Sequence, residues 1–189
     1  MNFVKLLLLK LYNLFYCSIK GMNMSVREKT KTYLGFGSRI INPKQISINE
    51  SIVGKYCYIS AQSKHAKITI GKGSNIGMYC MIASINYVKI GENVLFGPNV
   101  YVADYNHEYR DINVPVAKQG KDSNDNTIII EDDGWIGKNV VIVGNVHIGK
   151  HCVVGANSLV NRDLPDYSVC VGNPCRPVKQ WNGIEWERV

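Results

Sequence analysis

The sequence predicts an all-β chain wound into a parallel solenoid with a six-residue period. Three observations predict it. An aliphatic residue recurs without a slip at Ile130, Ile136, Ile142, Ile148, Val154 and Val160. Glycine follows it at Gly137, Gly149 and Gly155, and a small or β-branched residue stands four places after it at Val140, Val146, Cys152 and Ser158. The pattern also runs, with interruptions, through Val53–Ile59, Ile70–Ile82 and Ile90–Val102. Such a period fits neither an α-helix nor a simple alternating strand. A short strand and a tight turn, repeated three times, close a triangular coil of about 18 residues, and stacked coils pair about 4.8 Å apart. The aliphatic residue points inside, while glycine and asparagine permit the backbone at the corners. Residues one coil apart then stack: Ile130 on Ile148, Ile136 on Val154, Ile142 on Val160.

Residues 1–35 precede the repeat and predict an amphipathic helical segment. Phe3, Val4, Leu7, Leu8, Leu11, Leu14 and Phe15 fall on one helical face, widened by Leu6, Leu9 and Tyr12. Lys10 interrupts the apolar run and no clean cleavage site follows, so an amphipathic helix is expected here rather than a secretory signal. Such a helix packs on its own body or on a neighbouring subunit, or lies peripherally on an anionic membrane.

The 189 residues carry a net charge of +7, with 46% hydrophobic and 20% charged residues. That balance excludes a disordered chain, and no apolar run is long enough for an ordinary spanning helix. Residues 1–31 hold Lys5, Lys10, Lys20, Arg27, Lys29 and Lys31 against Glu28 alone. The body is therefore nearly neutral, which argues against a nucleic-acid surface. The cysteines are Cys17, Cys57, Cys80, Cys152, Cys170 and Cys175, with no C-x-x-C pair. They predict reduced thiols in a cytosolic protein, with Cys57, Cys80 and Cys152 as small inward hydrophobes.

The division expected is 1–35 helical segment, 36–165 solenoid of about five coils with an extruded loop at 104–127, and 166–189 return segment. The loop begins DYNHEYRD and stops the period at Asp104. A long polar excursion from a regular scaffold is usually functional, and this one holds His107.

The hexapeptide pattern resembles the left-handed parallel β-helix acyltransferases. Asp104-Tyr105-Asn106-His107, then Pro115, Gln119 and the late GNPCRPVK segment (172–179), resemble the galactoside, maltose and polysaccharide O-acetyltransferases. The resemblance implies a left-handed coil, a homotrimer with active sites between subunits, acetyl-CoA as co-substrate and no metal. It implies that His107 is the general base that takes a proton from a sugar hydroxyl as this attacks the thioester. Imidazole suits that task because it is largely neutral at cytosolic pH, and positioned proton removal contributes roughly 10²–10⁴-fold. Asp104, Asn106 and Glu108 are the candidates for orienting it. The resemblance assigns acetyl-CoA to Trp135, Lys138, Gly144, Ala156, Asn161, Arg162, Arg176 and Lys179, the basic side chains facing phosphates.

On the acceptor side the polar candidates are Ser84, Asn86, Tyr87, Asp104 and Asn106. The stretch GMYCMIASINYVKI has no carboxylate where the galactoside enzymes use one. The basic N-terminus and the DYNHEY loop point instead to surface-polysaccharide biosynthesis. Alternatives are a different acceptor (serine, a nucleotide amino sugar, an antibiotic) or a non-catalytic repeat protein. A zinc site like that of the γ-class carbonic anhydrases would use His147, His151 and His107.

Overall fold

The computed structural model describes Leu7, Leu8, Leu11, Tyr12, Phe15, residues 31–122 and residues 124–189. Those five early residues are helical and exposed; Tyr33–Leu34, expected in the helical segment, form a strand instead, and the other positions up to residue 30 lie outside the described residues. No described helix is long and apolar enough to cross a membrane.

From Tyr33 the chain is a left-handed parallel β-helix of hexapeptide repeats. The first coil holds β1 (Tyr33–Leu34), β2 (Arg39–Ile41) and β3 (Ile46–Ile48). The second holds β4 (Ile52–Val53), β5 (Tyr58–Ala61) and β6 (Lys67–Ile70). The third holds β7 (Asn75–Ile76), β8 (Met81–Ser84) and β9 (Tyr87–Ile90). The fourth holds β10 (Leu95–Phe96), β11 (Tyr101–Ala103) and β12 (Thr127–Ile130), with the loop extruded between the last two. The fifth holds β13 (Trp135–Ile136), β14 (Val141–Val143) and β15 (Val146–Ile148). The sixth holds β16 (Val153–Val154) and β17 (Leu159–Val160), and its third side is a single parallel bridge from Leu164 to Ile148.

Three sheets form the faces of a triangular prism. Face one stacks β1, β4, β7, β10, β13 and β16, face two ends on β17, and face three ends on β15. Face one continues into β18 (Ser168–Val171), which is its seventh parallel rung. It then reverses through β19 (Arg176–Trp181) and β20 (Trp186–Arg188), both antiparallel. The structure thus exceeds the expected five coils by a sixth and by this extra rung. The opening coil keeps the inward spacing at Leu34, Ile40 and Ile46, but its second corner is a tight turn at Pro43–Gln45 that lacks the glycine signature.

The stacking expected from the sequence is present: Ile130 pairs with Ile148, Ile136 with Val154 and Ile142 with Val160. Face three turns two side chains inward per rung, such as Ile68 and Ile70, Val88 and Ile90, or Ile128 and Ile130. The largest fully buried side chains are all isoleucine. Each is worth about 1.5–3 kcal/mol of transfer free energy, and β-branched residues suit the pleat.

Many of the corners follow one pattern. The third residue after the inward aliphatic takes positive φ, as at Asn93, Asn99, Asp133, Asn139 and Asn157. Asparagine tolerates this left-handed conformation better than most residues. These side chains also form ladders: Asn99 Nδ2 donates to Asn139 Oδ1 at 3.3 Å, and Asn139 Nδ2 to Asn157 Oδ1 at 2.9 Å. Gly137 shows why glycine follows the aliphatic: a Cβ there would lie 2.6 Å from the Ala156 amide nitrogen on the next rung.

Cys57, Cys80, Cys152, Cys170 and Cys175 are free and buried. A neighbouring thiol and then burial push the thiols of Cys80 and Cys152 above the usual range, so both act as packing residues.

Replacing Ile142 with Ala should lower apparent stability by about 2–5 kcal/mol. Replacing Ile112, which is 94% exposed, should change it by less than about 0.5 kcal/mol. Urea unfolding at one fixed protein concentration checks both.

Candidate functional site

The extruded loop leaves the edge between faces two and three, and its root is built around one carboxylate. Asp104 is fully buried. It accepts hydrogen bonds from Ser84 Oγ at 2.6 Å, the Ile85 amide at 2.8 Å and the Asn86 amide at 3.0 Å, all from the rung below. Three donors make the burial of a charge tolerable. Asn86 Nδ2 reaches the returning strand and donates to the carbonyls of Asn124 and Asn126. Ser84, Asn86 and Asp104, expected to face an acceptor, therefore lock the loop to the scaffold. Tyr87 stands on face three, its hydroxyl 3.5 Å from Thr69 Oγ1.

Beyond the root the loop forms a short antiparallel hairpin. The Asp122 amide donates to the Asn106 carbonyl at 3.0 Å, and the Glu108 amide to the Gly120 carbonyl at 3.1 Å. Asp122 is nearly buried and accepts from the Asn106 amide and from Asn124 Nδ2. Gln119 ties the tip: its Nε2 donates to the carbonyls of Asp111 and Val114, and its Oε1 accepts from the Asp111 amide. The hairpin is thus ordered by its own backbone and amide side chains.

His107 is exposed on this hairpin, and its Nδ1 lies 3.2 Å from the Gly120 carbonyl oxygen. A carbonyl only accepts, so this bond needs the proton on Nδ1, and in the neutral ring the lone pair is then on Nε2. None of Asp104, Asn106 and Glu108, the expected orienting residues, hydrogen-bonds the imidazole. Asp104 is committed to the root, and Asn106 joins the hairpin through its backbone. Glu108 accepts from Arg110 Nε at 2.8 Å, from Arg110 Nη2 and from the Tyr109 and Arg110 amides. The Arg110 guanidinium and those amides hold the Glu108 carboxyl down to about 2. The orienting group is a backbone carbonyl thirteen residues away, which no side-chain pattern reveals. Asn106, His107, Glu108, Tyr109, Arg110, Asp122 and Asn124 line an open cleft of about 420 Å³.

Beside His107 lies an aromatic and polar cluster. Tyr105 is 7% exposed, and its ring meets the imidazole edge-on with centroids 6.4 Å apart. Its hydroxyl donates to Gln62 Oε1 at 3.1 Å. Burial, then the neighbouring Tyr101, raise the Tyr105 hydroxyl above its ordinary value. Lys121 Nζ also donates to Gln62 Oε1 and sits 4.6 Å from the Tyr105 ring centroid.

The positions assigned to acetyl-CoA divide between two sides of the prism. Gly144, Asn161 and Arg162 occupy the same edge as the loop, and the Gly144 amide donates to the Ala103 carbonyl at the loop's root. Trp135 is exposed on the outside of face one, and Lys138 and Ala156 stand at the edge between faces one and two. Arg176 and Lys179 lie on β19 at the end of face one. One protomer does not bring these two groups together. His147 is hydrogen-bonded to Glu131 and His151 stacks on Tyr167. Among the described residues no three His, Cys, Asp or Glu side chains form a metal-ligating group.

A family model described as bacterial transferase hexapeptide (six repeats) matches residues 127–162. The galactoside O-acetyltransferase of Escherichia coli K12 is 30% identical over 151 residues, covering 75% of this chain and 72% of that protein. The chain belongs to the hexapeptide-repeat transferase family. A probable acetyltransferase of Mycobacterium tuberculosis, Rv3034c, is 33% identical over 172 residues, covering 89% of this chain and 56% of that one. Most such relatives are longer, and the chain spans 53 to 66% of four of them. Among solved structures, AntD is an N-acyltransferase from Bacillus cereus seen with dTDP-4-amino-4,6-dideoxyglucose and coenzyme A. It superposes with a TM-score of 0.66 at 25% identity, covering 79% of each chain.

Replacing Asp104 with Ala orphans three donors, at about 1–3 kcal/mol each. The solenoid should keep its circular dichroism, while trypsin cuts at Arg110 and Lys118 become several-fold faster. Unchanged proteolysis would show that the loop does not depend on this carboxylate.

Proposed function

We propose that this hexapeptide-repeat transferase moves an acetyl group from acetyl-CoA to a hydroxyl of a sugar, with His107 as general base. The observation that carries the reading is the hydrogen bond of His107 Nδ1 to the Gly120 carbonyl. It leaves Nε2 free to accept a proton at the mouth of an open cleft. The sugar hydroxyl gives its proton to Nε2 as its oxygen attacks the thioester carbonyl. A tetrahedral oxyanion forms, the C–S bond breaks, and the imidazolium returns the proton to the departing thiolate. The products are the acetyl ester and the free thiol of CoA. Gly120 steadies the imidazolium by accepting from Nδ1 throughout, as positioned carbonyl and carboxylate partners do in other His-base enzymes.

Acetyl-CoA is read here as lying between two copies of the chain. The split of the candidate residues supports this: Gly144, Asn161 and Arg162 come from the loop edge of one copy, while Trp135, Lys138 and Ala156 come from a neighbour. Arg162, Arg176 and Lys179 supply the cations that its phosphates require. A homotrimer closes three such sites by rotation. The similarity to named O-acetyltransferases supports an oxygen acceptor, and the DYNHEY loop supports a surface-glycan setting. AntD, by contrast, is an N-acyltransferase, so an amino sugar belongs in the assay.

Thiol release from acetyl-CoA, followed against a panel of sugars, nucleotide sugars and an amino sugar, tests the reading. His107→Asn should lower kcat by roughly 10²–10⁴-fold while acetyl-CoA binds within a few-fold of wild type. Equal turnover in the variant would overturn the role of His107, and preference for the amino sugar would move the acceptor from oxygen to nitrogen.

A further inference from the structure

His107 and Lys121 face each other across the loop hairpin as an antiparallel bridge. The flanking bonds, Glu108 amide to Gly120 carbonyl and Asp122 amide to Asn106 carbonyl, are those of a non-hydrogen-bonded pair. That is the closer of the two antiparallel pairings, and its side chains leave the same face of the ribbon. The Lys121 side chain therefore shares a face with the base. Tyr105, two residues before His107, reports the same side: its ring touches both the imidazole and the Lys121 ammonium.

The ammonium is held by neutral partners only, the Gln62 amide oxygen and the Tyr105 π face. Among the described residues no ion pair includes Lys121. The acids at the loop are spoken for: Asp104 is buried on Ser84, Ile85 and Asn86, Glu108 is clamped by Arg110, and Asp122 accepts from the Asn106 amide and Asn124. Burial lowers the Lys121 ammonium from its ordinary value, with only Asp104 opposing. A positioned and partly desolvated cation without a carboxylate disfavours a second positive charge beside it. Yet the base step creates one on His107. A negative charge brought by the substrate resolves the conflict.

We infer that Lys121 is an anion subsite, and that the preferred acceptor is a sugar bearing a carboxylate or a phosphate next to the hydroxyl that is acetylated. This rests on the acetyl transfer proposed above. The acceptor's anion docks on the Lys121 ammonium, held by Gln62 and Tyr105, and its hydroxyl then lies at His107 Nε2. The subsite makes the loop selective as well as reactive.

The test compares matched acceptors on full-length protein with acetyl-CoA: galactose with galacturonate, and glucose with glucose 1-phosphate. Wild type should favour the charged member of at least one pair, and which pair responds distinguishes carboxylate from phosphate. In Lys121→Met the ratio of kcat/KM, charged over neutral, should fall roughly 10- to 100-fold, mainly through KM. Lys121→Arg should keep it within a few-fold. A ratio taken on one preparation is insensitive to the fraction folded, so a merely structural lysine would lower both rates together. A wild type without charge preference, or a ratio unchanged in Lys121→Met, overturns the subsite while leaving acetyl transfer standing. Transfer to no sugar in the panel overturns the parent reading and this one with it.

Discussion

An aliphatic side chain turned inward at every sixth residue gives each coil three anchors, and each anchor lands on the one a coil below. The register this imposes is unforgiving, because the corner glycines leave no room for a Cβ between rungs: at Gly137 one would press on the Ala156 backbone. The long excursion after Ala103 has to respect that register, and it does. β11 stops at Ala103 and β12 resumes at Thr127, yet Ile128 and Ile130 stack on Val88 and Ile90 below and on Val146 and Ile148 above. The solenoid thus delivers both ends of a long insertion to one fixed edge. The remaining freedom is removed by the buried Asp104, whose three donors come from the preceding rung.

On that fixed root the hairpin has little to do but aim. Its backbone bonds place the Gly120 carbonyl under the imidazole, and Tyr105 meets the ring edge-on. The pairing also decides which charged groups remain available. Glu108 and Arg110 neutralise each other, and Asp104 and Asp122 are tied up in holding the loop. Lys121, opposite His107 in the hairpin, is left on the neutral partners Gln62 and Tyr105. An imidazole and a positioned cation on one hairpin would suit the proposed reaction, in which negative charge arrives with the acceptor and develops on an oxyanion.

Much of the scaffold was legible because its signals are periodic. The aliphatic series from Ile130 to Val160 predicted the exact stacking partners, and it predicted the inward cysteines Cys57, Cys80 and Cys152. His107 stood out because it lies just where the period breaks. What escaped was aperiodic. The first coil hides behind Pro43 in place of a glycine corner, and β18 to β20 pair as an antiparallel meander outside the six-residue rule. The orienting carbonyl of Gly120 carries no side-chain signature. Ser84, Asn86 and Asp104 looked like acceptor ligands because polar residues beside an extruded loop invite that reading, whereas their hydrogen bonds tie the loop to the preceding rung. Lys121 was one lysine among many until the hairpin set it opposite His107.

Proton transfer through His107 depends on the tautomer of its ring. Imidazole nitrogen NMR of protein labelled with ¹⁵N-histidine, with His107 assigned by comparison with His107→Asn, measures it directly. At a pH where the ring is neutral, the account predicts a proton on Nδ1 and a bare Nε2. A proton on Nε2 would leave no lone pair at the cleft and would contradict it.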